Sequence, residues 1–342
     1  MRAAVTSLVA VLLAAVVSAQ QTDIHLLPLR GNVYMLVGAG ANITLSVGKE
    51  GVLLVDAGTA QMADKVVAAI TQLSKDVNAA TAARPCAGLG CSGNEFASLL
   101  GTIASPAPPK PIQYIINTSA DADHTGGNAR IAAAGTTIGG GPGLGQFVGI
   151  VKESAMIYAH ENVLERMSAA KIPTAALPTE SYPNDFKQFF NGEGIHLIYQ
   201  KAAHSDGDTI VHFRGSDVIS AGDTLSTVSY PVFDIARGGS INGIIRSLNN
   251  LLDLAIAEYQ TEGGTLIIPG HGRVCDSADL ATYRDMVTII RDRVQDAIKR
   301  GLTLEQVKAA RLTKDYDTRY DVANWTKDQF AEAVYRSLSG KQ

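Results

Sequence analysis

A chain of 342 residues, 46% hydrophobic and 18% charged, has ample apolar material for one large core and too little charge for a disordered acidic or basic protein. Its 29 Lys and Arg against 33 Asp and Glu leave a formal charge of −4, and with a pI near 6.0 there is no electrostatic case for binding a nucleic-acid backbone.

In chain order, residues 1–19 read as a secretory signal: Arg2, an apolar run from Leu8 to Val17, then the small-residue pattern Val17-Ser18-Ala19 ahead of cleavage before Gln20. No later stretch approaches the roughly 18 apolar residues of a membrane span, so a secreted or periplasmic protein with no span in its mature form is expected. Val33–Val37, Ile43–Val47 and Val52–Val55 read as strands, the third ending in Asp56-Ala57-Gly58. Met62, Val66, Val67, Ile70 and Leu73 recur at helical spacing and predict a helix over 60–73. Residues 74–111, rich in Ala, Gly, Pro and Ser, read as an insertion that could cover a pocket. Cys86 and Cys91 within it are spaced for a small local disulfide in an oxidising compartment, with two unpaired thiols as the alternative, and Cys275 is the odd one of three cysteines.

Order resumes with a strand at Ile112–Asn117, a polar cluster from Thr118 to Asn128, and a helix over 127–134. A strand at Met156–Ala159 leads into a helix at Glu161–Ala169, and Ile195–Tyr199, Thr209–Phe213 and Asp217–Ser220 are further strands. Ser240 is placed to cap a long amphipathic helix ending near Tyr259, Thr265–Ile268 reads as a buried strand, and Leu280–Arg300 as another helix. Strands followed by a helix in both halves suggest two sheets back to back with helices on the outer faces.

Metal-type residues fall at the ends of these strands: Asp56, the stretch Ser119-Ala120-Asp121-Ala122-Asp123-His124, His204, Asp223 and His271. Asp121 and Asp123, two apart on an extended loop, should project to one side, with His124 adding a nitrogen donor. His204 precedes the turn Ser205-Asp206-Gly207-Asp208, and His271 lies in Pro269-Gly270-His271-Gly272, where glycine permits close backbone approach. Each has an ordinary structural reading when taken alone: an Asp-rich turn or helix cap, a hydrogen-bonded histidine, a turn cap at Asp56. His160, after its strand, reads as a pocket-rim residue or, more simply, as a helix start. Cys275 reads as a packed thiol, and Tyr182, Tyr199 and Tyr230 as packing residues.

Together, Val55-Asp56-Ala57-Gly58, the run from Asn117 to Asn128, Ala203-His204-Ser205-Asp206-Gly207-Asp208, Ala221-Gly222-Asp223-Thr224 and Ile268-Pro269-Gly270-His271-Gly272 resemble the ordered motifs of the metallo-β-lactamase superfamily. The resemblance implies a four-layer αββα sandwich over 23–275; residues 276–342 lie outside the motifs and read as a C-terminal helical extension on the same domain. It implies that Asp123, His124, His271 and the bridging Asp223 hold one metal, and that Asp56 supports the loops beneath. The family pattern Thr-His-x-His-x-Asp-His has Ser119 and Asp121 in place of its first two histidines. The other metal would then rest on Asp121, His204 and Asp223, with Ser119 at best a weak oxygen donor. Oxygen replacing nitrogen favours harder ions, so alongside Zn2+ the altered site admits manganese or iron.

The implied activity is that of a metallo-hydrolase acting on a small carbonyl substrate: a β-lactam, slightly favoured by export and by Asn128, or a lactone, ester or glyoxalase II-type thioester. Bound zinc lowers the pKa of its water to about 7 and polarises a carbonyl, with Asp123 orienting the water. Two alternatives stay open: a scaffold that has lost its first metal and only binds, and a carboxylate-rich di-iron redox protein. Flavodiiron proteins also carry a carboxylate at the second histidine position, although they keep the first histidine. Oligomeric state is not specified.

Overall fold

The computed structural model describes residues 23–81, 110–139, 150–152, 154–256 and 263–340. The leader, Cys86, Cys91, Tyr259 and most of the 74–111 segment lie outside the described residues. A seven-stranded sheet runs in the order β1-β2-β3-β4-β5-β8-β9 and a five-stranded sheet in the order β10-β11-β12-β13-β14. The first comprises β1 (His25–Arg30), β2 (Val33–Val37), β3 (Ile43–Val47), β4 (Val52–Val55), β5 (Ile112–Asn117), β8 (Met156–His160) and β9 (Glu180–Tyr182). The second comprises β10 (Phe186–Phe190), β11 (Glu193–Gln200), β12 (Asp208–Phe213), β13 (Val218–Ser226) and β14 (Leu266–His271). A short hairpin of β6 (Thr137–Gly139) and β7 (Ile150–Lys152) stands apart.

Strand periodicity sorts the apolar side chains into three layers. Val33, Met35, Leu53, Val55 and Ile116 point inward and meet Ile195, Leu197, Val211, Phe213, Val218 and Ile268 of the other sheet. Their sequence neighbours Leu36, Val52, Leu54 and Ile115 point outward onto Ala63, Val66 and Ile70 of α1 (Ala63–Thr81) and Ile131 of α3 (Asn128–Ala133). On the far side Ile210, Ile219 and Ile267 are covered by Ile244, Leu248 and Leu251 of α5 (Ile241–Leu254) and by α6 (Ser277–Lys299). The central strands are therefore apolar on both faces, the pattern of sheets covered on either side.

The predicted boundaries shift in a few places. A 3-10 turn at Ala60–Met62 precedes α1, which continues to Thr81, so the start of the expected irregular segment is helical. Ser74 is buried there, and its hydroxyl accepts from the Lys110 backbone N–H, bringing the ends of the 74–111 segment together. β13 runs on through Asp223 to Ser226, and β14 through His271. β1, β9 and β10 were not anticipated. All three lie at sheet edges, where one-sided burial weakens the apolar signal, and β1 carries Pro28, which an edge tolerates.

The C-terminal residues form α6, α7 (Leu304–Ala309), α8 (Asp317–Tyr320) and α9 (Lys327–Ser339). They share one core with the second sheet: Leu280, Val287, Val307, Phe330 and Val334 belong to the cluster that holds Ile219 and Ile267. Phe330 stacks on Tyr230 at 4.7 Å. Among the described residues no helix is long and apolar enough to cross a membrane.

Candidate metal centre

The pairs β4·β5 and β13·β14 are parallel, so within each sheet their carboxyl ends emerge on a common edge. Asp56 follows β4, the Asp121 to His124 segment follows β5, Asp223 sits near the end of β13 and His271 closes β14. His204 comes from the loop between β11 and β12. Irregular register along β13 at Gly222 turns the strand where Asp223 leaves it. Gly270 on β14 is required there, since a Cβ would stand 2.5 Å from Asp223 Oδ1.

Asp56 builds the floor. Its backbone is left-handed (φ +67), a conformation that aspartate tolerates better than most residues. Its buried carboxylate accepts from the Thr118 backbone N–H at 2.8 Å and the Thr118 hydroxyl at 2.7 Å, and lies 2.8 Å from His124 Nδ1. With Nδ1–H donated to Asp56, the Nε2 atom of His124 is the one aimed at the site, the arrangement by which a carboxylate orients an imidazole that can ligate a metal. That Nε2 is wholly buried and lies 3.0 Å from Asp223 Oδ2, yet makes no hydrogen bond.

Around it the donors fall into two groups, Asp123, His124 and His271, and Asp121, His204 and Asp223, with the ligand atoms of each group within 4.8 Å of one another. His271 Nε2 lies 3.2 Å from Asp123 Oδ2 and 3.5 Å from Asp223 Oδ1, and His204 Nε2 lies 3.3 Å from Asp121 Oδ2. Tetrahedral donors at zinc-ligand distances lie roughly 3.3–3.5 Å apart, so the four side chains Asp123, His124, His271 and Asp223 suit an ion among them. Asp223 is close to members of both groups, as a bridging carboxylate would be.

Asp121 and Asp123 both face one cleft, but not from one extended loop as expected. Asp121 is extended and precedes the one-turn helix α2 (Ala122–Thr125), while Asp123 lies inside that turn. The change from extended to helical backbone divides the two carboxylates between the groups. Ser119 also departs from expectation: it is fully buried, and its hydroxyl accepts from the Asp121 backbone N–H at 3.3 Å.

Burial against charge sets the protonation of these groups. Burial works to lower the His204 pKa, but the Asp208 carboxylate at 3.4 Å from Nδ1, with Asp223 and Asp121, pushes it up to about 9. Asp208 is itself held by the backbone N–H and hydroxyl of Ser205. Burial likewise works to lower the His124 pKa, but the Asp223 and Asp56 carboxylates outweigh it and hold it well above the ordinary imidazole value. The hydrogen bond from His271 lowers Asp123. Burial would raise Asp223, yet the neighbouring histidines, His124 foremost, hold it well below the carboxylate range.

One residue of the site was not foreseen. Arg237 donates from Nη1 to Asp121 Oδ1 and from Nε to Asp234 Oδ2, the latter at 2.7 Å. It lies outside every motif, and no local signal marks it. The centre opens into a cleft of about 360 Å3 lined by Asp121, Asp123, His204, Asp223 and His271 on the polar side. The other wall is largely apolar, with Val228, Val232, Val322 and Trp325, so the C-terminal extension supplies part of the cleft.

His160 does not line this cleft. Its Nδ1 accepts from the Asn162 backbone N–H at the start of α4 (Glu161–Ala169), its Nε2 lies 3.2 Å from the Pro183 carbonyl, and its ring stacks on Tyr199 at 3.9 Å. Asn128 is also structural, exchanging amide hydrogen bonds with Asn117 and donating to the Ala176 carbonyl. Cys275 is a buried free thiol, pushed up to about 12 by burial.

A two-sheet sandwich with helices outside and a carboxylate-histidine centre at its strand ends defines an αββα protein built around a metal site. The family model of the metallo-beta-lactamase superfamily matches residues 36–271, and the chain belongs to that superfamily. Among solved structures it is similar to a metallo-beta-lactamase from Pontibacter korlensis at 10% identity and a TM-score of 0.53, covering 78% of this chain and 99% of that one. The DIM-1 metallo-beta-lactamase matches at 13% identity and a TM-score of 0.51, covering 78% of this chain and 97% of that one. The stereoselective inverting sec-alkylsulfatase Pisa1 from Pseudomonas sp. matches at 14% and 0.56, covering 93% of this chain but 51% of that one. No curated protein matches the chain in sequence.

Proposed function

We propose that the chain is an exported metal-dependent hydrolase that brings water to the carbonyl carbon of a lactam, lactone, ester or thioester. The observation that carries this reading is the convergence of Asp123, His124, His271 and Asp223 at the base of an open cleft, with the His124 Nε2 buried and free of any hydrogen bond. Membership of a superfamily of metallo-hydrolases supports it. The mixed nitrogen and oxygen donors suit zinc, and the carboxylate Asp121 makes manganese or iron the alternatives. A bound ion supplies Lewis acidity and acidifies water.

The chain's own residues divide the remaining work. His124, fully buried, is held from beneath by Asp56, and the largely covered Asp223 stands beside its Nε2. Asp123 and His271 are more open to the cleft, and Asp123 is the carboxylate placed to orient the attacking water and hold its proton. Val228, Val232, Val322 and Trp325 favour a substrate with an apolar group beside the reacting carbonyl. Because Asn128 is tied to Asn117 and Ala176, it gives no reason to prefer a lactam over the others.

Purified protein should be assayed on nitrocefin, an acyl thioester, a lactone, an aryl ester and, in view of the alkylsulfatase likeness, an alkyl sulfate. Turnover of at least one should be lost on chelation, return with zinc, and fall by two orders of magnitude or more in a folded Asp123→Ala variant. A folded native protein that binds no divalent ion would overturn the proposal.

A further inference from the structure

The two donor groups are unequal, and the inequality bears on how many ions the centre holds; the argument rests on the metal-hydrolase reading above. Asp223, the carboxylate shared between them, has Oδ2 3.0 Å from His124 Nε2 and Oδ1 3.5 Å from His271 Nε2. Each of its oxygens thus lies beside a histidine of the group of Asp123, His124 and His271, while the carboxylate also comes within 4.8 Å of the donors of Asp121 and His204. The other group has only His204 and Asp121 to itself.

Asp121 is not free to serve there alone. Its Oδ1 accepts from Arg237 Nη1, and only Oδ2 faces His204 Nε2, at 3.3 Å. Ser119 adds no donor, because its hydroxyl is turned to the Asp121 backbone. The guanidinium is fixed in place from behind. Arg237 Nε donates to Asp234 Oδ2 at 2.7 Å, the Arg237 backbone N–H donates to Asp234 Oδ1 at 3.1 Å, and its carbonyl accepts from the Asp206 N–H at 2.9 Å. Asp206 in turn is gripped by Arg166.

Charge explains why these changes belong together. Replacing a neutral imidazole by the Asp121 carboxylate adds one negative charge, and the Arg237 guanidinium returns one positive charge to the same atoms. A divalent ion seated on Asp121 and His204 would have to share that carboxylate with a fixed cation and meet its repulsion in a partly buried, weakly screened place.

We propose that the chain holds one divalent ion tightly, on Asp123, His124, His271 and Asp223, and that Arg237 is the fixed positive charge at the neighbouring position, keeping a second ion out. Arg237 is here a positioning residue for Asp121 and makes no contact with the tightly held ion.

The test is metal stoichiometry on the full chain, dialysed against zinc buffered at low micromolar free concentration and analysed for bound metal, with calorimetric titration for affinity. The native protein should hold one equivalent. Arg237→Ala and Arg237→Gln should take up a second, with binding at that position at least tenfold tighter than in the native chain, whereas Arg237→Lys, which keeps the charge, should stay near one. Arg237→Gln retains a donor for Asp121, so the comparison survives if Arg237→Ala does not fold; thermal melts check each variant. A native protein holding two equivalents, or uncharged variants that remain at one, would overturn this inference and leave the hydrolase reading standing. A native protein holding none would sink both.

Discussion

Asp56 is the residue on which the centre stands, because a single carboxylate fixes the loop after β5 through Thr118 and the tautomer of His124 at once. Replacing it by Ala strands these buried donors, at a cost of about 1–3 kcal/mol for each group left unsatisfied. The loss of the histidine's orienting partner should weaken zinc binding by roughly 10–100-fold, read by competition with a chromophoric chelator. A variant with native affinity would show that Asp56 only caps its turn.

His204 makes the metal-free protein sensitive to alkali. Its pKa is raised in the folded state to about 9, above an unfolded value near 6.5, so the folded protein binds the proton more tightly. Its contribution to stability is full below pH ~6.5 and disappears as pH rises through about 9. The melting temperature of chelated protein should therefore fall across that window; a pH-independent melting temperature between 6.5 and 9 would contradict the assignment.

At this scale the candidate donors were legible in the sequence, since Asp123, His124, His204, Asp223 and His271 are named by motif. Arg237 was not, because its contact with Asp121 spans 116 positions and no residue near it carries a pattern.

At the scale of elements, the site depends on β13 and β14 running parallel and close enough for Asp223 and His271 to meet. Gly270 is what lets them do so. In Gly270→Ala the new Cβ would lie 2.5 Å from Asp223 Oδ1 and 2.8 Å from the Gly222 backbone, so either the carboxylate or the strand must move. The expected result is a loss of roughly 1–3 kcal/mol of stability together with reduced metal content, measured by denaturant titration and elemental analysis. Native metal content in a folded variant would mean that Asp223 is not held where its contacts place it.

The central strands were readable because they are apolar on both faces and bounded by Gly-bearing turns. Edge strands such as β10, with exposed Phe189, carry no such contrast. The tail of α1 was hidden by its composition: Ser74, Asp76 and Asn78 look like loop residues, but Val77 packs on the core and Ser74 is buried, and tertiary packing outweighs propensity there.

Over the whole molecule, the C-terminal helices act as part of the fold and not as an appendage. Phe330→Ala removes a fully buried ring from the cluster that covers the second sheet, which should cost about 3–5 kcal/mol in chemical denaturation although the residue is remote from the donors. The same extension reaches the cleft through Trp325, whose Nε1 donates to the Pro231 carbonyl at 3.3 Å. Trp325→Ala should leave metal content unchanged and raise KM most for substrates with large apolar groups. An equal effect on small and large esters would assign Trp325 a purely structural part.

Taken by itself, the sequence determined which side chains can carry chemistry, their order along the chain, and the layered sandwich that places them at strand ends, because apolar periodicity and strand-terminal polar residues are local properties. Only the tertiary structure decided how Asp121 and Asp123 part company, that Ser119 and His160 serve the backbone and a helix start, and that a remote arginine meets Asp121. The reason is physical: where a side chain points at the end of a strand follows from the backbone conformation there, and what it meets depends on segments brought together only when the sheets pack.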